Sequence, residues 1–319
     1  LFVSNYWAHR VTVFDVATVT DGENAINVLG QSNFTGASLG STQSGMYYPV
    51  GLSFEPSTSR LFVADSYNHR VGVYDVAAIT NGENAINVLG QADFTTATSA
   101  AQANRMNYPR GVKQDGSGRL FVADYGNHRV LVFDVASITD GENAINVLGQ
   151  TNFTSATTGQ TQSTLNSPAG VTVDNNNRLY VSDYGNHRVF VFDVTSITDG
   201  ENAVNVLGQT NFTARSSATT QKGLYYPRGL AFEQGMNRLY ISDFNNYRVL
   251  VQSVGPVSPS TSTLTADSGS ETGKINLSWA SAGDDGAFND LTGYYRIQYA
   301  TYTATWSTGS TPTNATTLT

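Results

Sequence analysis

Residues 120–130 read LFVADYGNHRV, and four further copies of this phrase stand at nearly constant spacing. They are LFVSNYWAHRV from Leu1, LFVADSYNHRV from Leu61, LYVSDYGNHRV from Leu179 and LYISDFNNYRV from Leu239. Each copy holds an apolar, β-prone run, a polar turn and the start of a second such run. A period of about 60 residues built from short strands points to stacked sheets, not to one continuous core.

Outward from Leu120, the unit resolves into four strands. Gly111–Gln114 follows Tyr108 and Pro109, and Asp115-Gly-Ser-Gly118 is a turn. Leu120–Ala123 is the second strand, Asp124–His128 a second turn, and Arg129–Phe133 the third strand. A polar connection, Asp134–Asn143, leads to Ile145–Leu148, which closes at Gly149 and Gln150. Four short strands with tight turns form an antiparallel meander that cannot bury both faces alone. Radial stacking of such sheets buries them. The expected fold is therefore all-β: a β-propeller of four-stranded blades. Five blades are visible, the first and last incomplete.

The strands of a blade are lettered a to d from the axis outward. Leu1 opens on strand b, and no Asn-Val-Leu-Gly-Gln strand follows Gln252. The missing pieces are thus a final d and a first a. One upstream stretch would supply both and close five blades; a further blade upstream would make six, the preferred number. Either way an open edge should invite pairing with another chain, and the chain expressed alone should aggregate.

The linked pieces Pro-x-Gly-Val, Arg-Leu-Phe/Tyr-Val-Ala/Ser-Asp and Asn-His-Arg-Val-x-Val-Phe resemble the NHL-repeat family of propellers, over residues 1–254. The repeats here are longer than the family's and resemble those of large exported bacterial proteins. That likeness implies a secreted or cell-surface protein. Residues 255–263 read as a Pro/Ser/Thr linker, and 264–319 resemble a truncated fibronectin type III module, a partial β-sandwich. Ile275–Trp279 and Tyr295–Tyr299 alternate as strands there, around the Gly283–Gly286 loop.

The chain has 319 residues, 17 Lys and Arg against 25 Asp and Glu, and a net charge of −8. That balance disfavours nucleic acid, whose binding rests on phosphate neutralisation. No apolar run approaches 18 residues, so no membrane insertion is expected. There is no Cys, so disulfides are excluded.

Repetition assigns most polar residues to structure. Asp65, Asp124, Asp183 and Asp243 end strand b and are expected to accept N–H bonds within their own turns. Asn68, Asn127, Asn186 and Asn246 should tolerate left-handed backbone. Arg70, Arg129, Arg188 and Arg248 should pair with the Asp residues. Blade one has Asn5 and Ala8 in place of the Asp and Asn, so its turn should be loosest. His9, His69, His128 and His187 share one slot, filled by Tyr247 in blade five. On separate blades they cannot converge on zinc, and the slot reads as wanting an aromatic ring. Amidating lyases built on related propellers hold zinc with channel-facing His, and no strand a carries one here. The Asp-Gly-Glu-Asn turns, such as Asp140–Asn143, offer oxygens to calcium but too few each, so they read as polar turns and no cofactor is expected. Asp284, Asp285 and Asp290 carry the same weak calcium signal. The sequons at Asn33, Asn152 and Asn211 read as by-products of a repeat whose Phe plugs a gap between blades.

In a meander the b–c and d–a connections share one end of the ring, called the top. Sorted this way, carboxylates crowd the bottom and cations the top. With the turn arginines set aside, the free top cations are Arg105, Arg110, Arg215, Lys222 and Arg228. Arg110 and Arg228 open strand a beside the channel mouth, where an anionic or carboxylate-bearing partner would bind. The d–a connections, such as Gln91–Pro109, keep one length with a variable centre, as a presented surface would. The expected function is non-catalytic recognition of a protein, peptide or carbohydrate. The rival is a metal-dependent lyase or lactonase.

Overall fold

The computed structural model describes residues 1–254 and, beyond them, the backbone of four short strands. The chain divides into two compact units, Leu1–Val254 and Gly255–Thr319. The first is all-β and contains five blades; its only helical pieces are single 3₁₀ turns between strands b and c.

Blade one holds β1 (Phe2–Asn5), β2 (Arg10–Val13) and β3 (Asn27–Leu29). Blade two holds β4 (Pro49–Glu55), β5 (Arg60–Asp65), β6 (Arg70–Asp75) and β7 (Asn87–Leu89). Blade three holds β8 (Pro109–Gln114), β9 (Arg119–Asp124), β10 (Arg129–Asp134) and β11 (Asn146–Leu148). Blade four holds β12 (Pro168–Val173), β13 (Arg178–Asp183), β14 (Arg188–Asp193) and β15 (Asn205–Leu207). Blade five holds β16 (Pro227–Glu233), β17 (Arg238–Asp243) and β18 (Arg248–Ser253). Each blade is an antiparallel meander in chain order. Among the described residues the outer two blades lack the two expected strands, a in the first and d in the last.

The cores lie between blades. Alternation along a strand sends successive side chains to opposite neighbours. From blade three, Leu120, Val122, Leu131 and Phe133 pack toward blade two. Phe121, Ala123, Val130 and Val132 pack toward blade four. Near the axis the inner strands approach so closely that only glycine fits. A Cβ on Gly51 would stand 2.2 Å from the Arg110 carbonyl oxygen, and one on Gly170 2.1 Å from that of Arg228. Gly229, the same position in blade five, meets no neighbouring backbone within 4 Å.

Strand a starts earlier than the sequence indicates, at the Pro. Pro109 pairs with Asp124, and the register then shifts before Val112. The same bulge follows Pro49, Pro168 and Pro227. A bulge inserts a residue and re-aims its side chain. The residues so placed are Val50, Arg110, Ala169 and Arg228.

In the second unit, β19 (Thr265–Ser268) pairs with β20 (Ile275–Ser278), and β21 (Ile297–Ala300) pairs with β22 (Ala315–Leu318). The remainder of the fibronectin-like reading, its Asp loop included, lies outside the described residues.

Candidate functional site

The repeated polar residues form one buried network per blade. Asp124 Oδ2 accepts from Asn127 Nδ2 at 2.8 Å and Arg129 Nε at 2.7 Å. Its Oδ1 accepts the Asn107 N–H at 2.6 Å. The expectation that this Asp serves its own turn is therefore corrected: it anchors the segment entering strand a of its blade. Asp65, Asp183 and Asp243 do the same for Tyr47, Asn166 and Tyr225. The ion pairs with Arg70, Arg188 and Arg248 form at 2.8, 2.7 and 2.8 Å. Burial pushes the Asp183 carboxyl up to about 6, against the pull of Arg188 and of the Asn186 and Asn166 donors.

The remaining guanidinium donors grip backbone. Arg129 Nη2 donates to the carbonyls of Gln102 and Arg105, and Nη1 to that of Phe153. Arg70 holds the carbonyls of Ser41, Thr42, Gly45 and Phe94. Asn127 holds that of Ala100. Fixed length with a free centre follows: the clamps read carbonyls, which every residue has. In blade one Asn5 cannot supply a carboxylate, and Arg10 Nε is buried without an acceptor.

Left-handed backbone falls on the His slot, not on the Asn. His69 has φ 54°, and Tyr247 has φ 51°. Each imidazole Nδ1 accepts an N–H from the next blade: Tyr48 to His9, Tyr108 to His69, Ser167 to His128 and Tyr226 to His187. Those four residues also have φ near 50° and directly precede the bulge. Burial lowers the pKa of all four His, and Arg215 lowers that of His187 further. The slot does pack as a ring, His9, His69 and His187 lying against Tyr48, Tyr108 and Tyr226, and it is also a hydrogen-bond acceptor across a seam. Tyr247, 95% exposed, has no such seam to serve.

The Asp-Gly-Glu-Asn turns are clamps between blades as well. Asp140 Oδ1 accepts from Val88 N and Asn87 Nδ2 on β7 of the preceding blade, while Glu142 accepts the Thr139 N–H. Among the described residues no group of three His, Cys, Asp or Glu gathers as metal ligands would. The sequon Asn33 caps its own turn, accepting from Thr35 and Gly36, a role Asp93 fills equally in blade two.

At the top of the ring a depression of about 630 Å³ takes residues from all five blades. The bulge residues Val50, Arg110, Ala169 and Arg228 line its base, and Tyr6, Trp7, Tyr67, Tyr108 and Tyr125 its wall, with Ser66. The Arg110 guanidinium lies 3.6 Å from the Tyr125 ring centre, and that of Arg228 3.5 Å from Phe244. Stacking covers the flat face of each guanidinium and leaves its edge donors for a ligand. Neither arginine is ion-paired among the described residues, and Arg228 Nε is buried without an acceptor. Burial, then the neighbouring Tyr67 phenol, pushes the Tyr6 hydroxyl up, while Arg110 pulls it down.

Of the five cations read from sequence, only Arg110 and Arg228 reach this depression. Arg105 is not free: its Nη1 donates to Gln91 Oε1 and Thr98 Oγ1. Arg215 and Lys222 stand exposed on the connection from β15 to β16. The aromatic wall was not part of the sequence reading. Its signal is that the first or second residue after Asn5, Asp65, Asp124, Asp183 and Asp243 is aromatic in every copy.

Residues 106–133 and 165–192 match the NHL repeat family model. Two of its blades, the third and the fourth, carry NHL repeats. Both matches run from the entry of strand a to the end of strand c and leave out strand d and the long connection. NHL repeat-containing protein 2 of Gallus gallus is 32% identical over 167 residues, covering 48% of this chain and 22% of that protein. The Bos taurus protein of the same name is 32% identical over 100 residues, 30% of this chain and 13% of it. The chain thus spans under a quarter of either relative. Among solved structures, a nidogen/laminin complex superposes with a TM-score of 0.43 at 21% identity, covering 65% of this chain and 60% of that one. An auxiliary nutrient binding protein from Bacteroides ovatus reaches 0.45 at 15% identity, covering 65% and 48%.

Proposed function

We propose that this NHL-repeat propeller is a non-catalytic recognition module, secreted or cell-surface, that binds a carboxylate-bearing ligand at its top mouth. Residues 264–319 would continue it as a fibronectin type III-like spacer. The observation that carries the reading is the pair Arg110 and Arg228: two guanidiniums from separate blades, aimed by bulges into one aromatic depression and paired with no acid. An arginine without a carboxylate partner in a partly dry site favours an anion, and its fork matches a carboxylate with two parallel bonds. No Asp, Glu or His is among the lining residues of the depression, which supports recognition over a metal-dependent lyase or lactonase. The reading is tested by calorimetric titration of the wild-type chain and an Arg110→Ala/Arg228→Ala variant with trigalacturonate, hexaglutamate and sulfate. At least one anion should bind, and the variant should bind it about tenfold or more weakly. Equal binding by the two proteins, or none by the wild type, contradicts the reading.

A further inference from the structure

We propose that the ligand of the mouth is an acidic oligosaccharide, its carboxylate held between Arg110 and Arg228 and its sugar rings laid on the aromatic wall. The inference rests on the mouth being a binding site and adds the chemical class of what enters it.

The lining supports a sugar. Apart from the two arginines, five of its eight lining residues are aromatic, and the others are Val50, Ser66 and Ala169. An acidic peptide is the rival occupant, since aromatic grooves also take peptides, and titration with hexaglutamate separates the two. A pyranose ring has apolar C–H faces and a hydroxyl rim, so it stacks on flat aromatic rings and meets polar groups at its edge. Trp7, Tyr67 and Tyr108 offer such surface, at 78%, 38% and 38% exposure. Large aromatic rings left in water around one depression mark a surface in use. The Tyr6 phenol lies near Arg110 and next to that of Tyr67, so the two offer hydroxyls to a sugar's ring hydroxyls close to the carboxylate. The volume, about 630 Å³, suits more than one sugar unit, within the range of about 300–1,000 Å³ for small-ligand pockets.

The test is calorimetric titration of the wild-type chain with trigalacturonate, its methyl ester and hexaglutamate, repeated with a Trp7→Ala/Tyr108→Ala variant of unchanged melting temperature. The acid sugar should bind best. Esterification should weaken it about tenfold or more, and removing the two rings should weaken it several-fold, roughly as lost stacking does. Hexaglutamate binding as well as or better than the sugar, with Arg110 and Arg228 required, would overturn the saccharide class and leave the mouth as an anion site. Equal binding of acid and ester would overturn the carboxylate contact. No binding of any probe would overturn both readings.

Discussion

His69 Nδ1 accepts the Tyr108 N–H at 3.1 Å, which only a neutral imidazole can do. His9, His128 and His187 act alike, so every seam among the five blades holds one such bond. Each bond pins a residue with positive φ, a conformation costly for a non-glycine side chain, immediately before the bulge that aims a residue into the mouth. Because burial lowers these pKa values, the unfolded chain takes up protons first as pH falls. Their contribution is complete above the unfolded value, about 6.5, and is lost as pH drops below it. Asn is a useful replacement, since its Oδ1 accepts a bond and it tolerates left-handed backbone. The melting temperature of the wild type should fall from pH 7.5 to 5 by several degrees more than that of a His69→Asn/His128→Asn variant. Asp183, at about 6, titrates in both proteins and cancels from the comparison. Parallel melting curves across that range would remove the imidazoles from the account. The repeat shows which residues are structural, but not how. Tyr247 points to the packing role of the slot and hides its acceptor role, because the sequence does not show that blade five has no described seam beyond it.

Strand ends and connections are where blades are tied. The blade period, the four strands and the Asp–Arg pairing were readable, because alternation and repetition are local signals. The N–H that each Asp captures was not, since it lies 17 or 18 residues away on another connection. The bulge at Pro109 was hidden for a similar reason: strand pairing, not composition, creates it. Because the clamps bind loop carbonyls, the connection should tolerate side-chain changes that the Asp does not. Asp124→Ala strands the fully buried Arg129 and should cost about 3–5 kcal/mol of stability. Ser99→Ala and Thr158→Ala, both on exposed loop centres, should stay within about 0.5 kcal/mol. Urea unfolding of the three variants separates these outcomes, and a large loss at Ser99 would show that the loop centre is read by its side chains. The clamps leave the variable centres free to differ, and the proposed site rests instead on the residue between Pro and Gly.

The molecule as a whole is an array of blades in which each one completes the next. Val130, Val132 and Val189 are fully buried or nearly so by a following blade, whereas their counterparts Val249 and Val251 stand 62% and 54% exposed. Such a face pairs with other apolar surface. Light scattering of the chain should show self-association that a Val249→Lys/Val251→Lys variant relieves; equal association would place the contact elsewhere. At this scale the division of labour is plain: repeated residues hold seams, and the non-repeating bulge residues face the mouth. Of the four bulge residues, two are small or aliphatic and two are arginine, so a cation at the mouth is not a feature of every blade. A crystal structure of the chain soaked with trigalacturonate tests that division most directly. The expected result is a carboxylate within hydrogen-bond distance of Arg110 or Arg228, with a sugar ring against the aromatic wall. Density for the sugar at Arg215 and Lys222 on the outer connection, with the mouth empty, would contradict it.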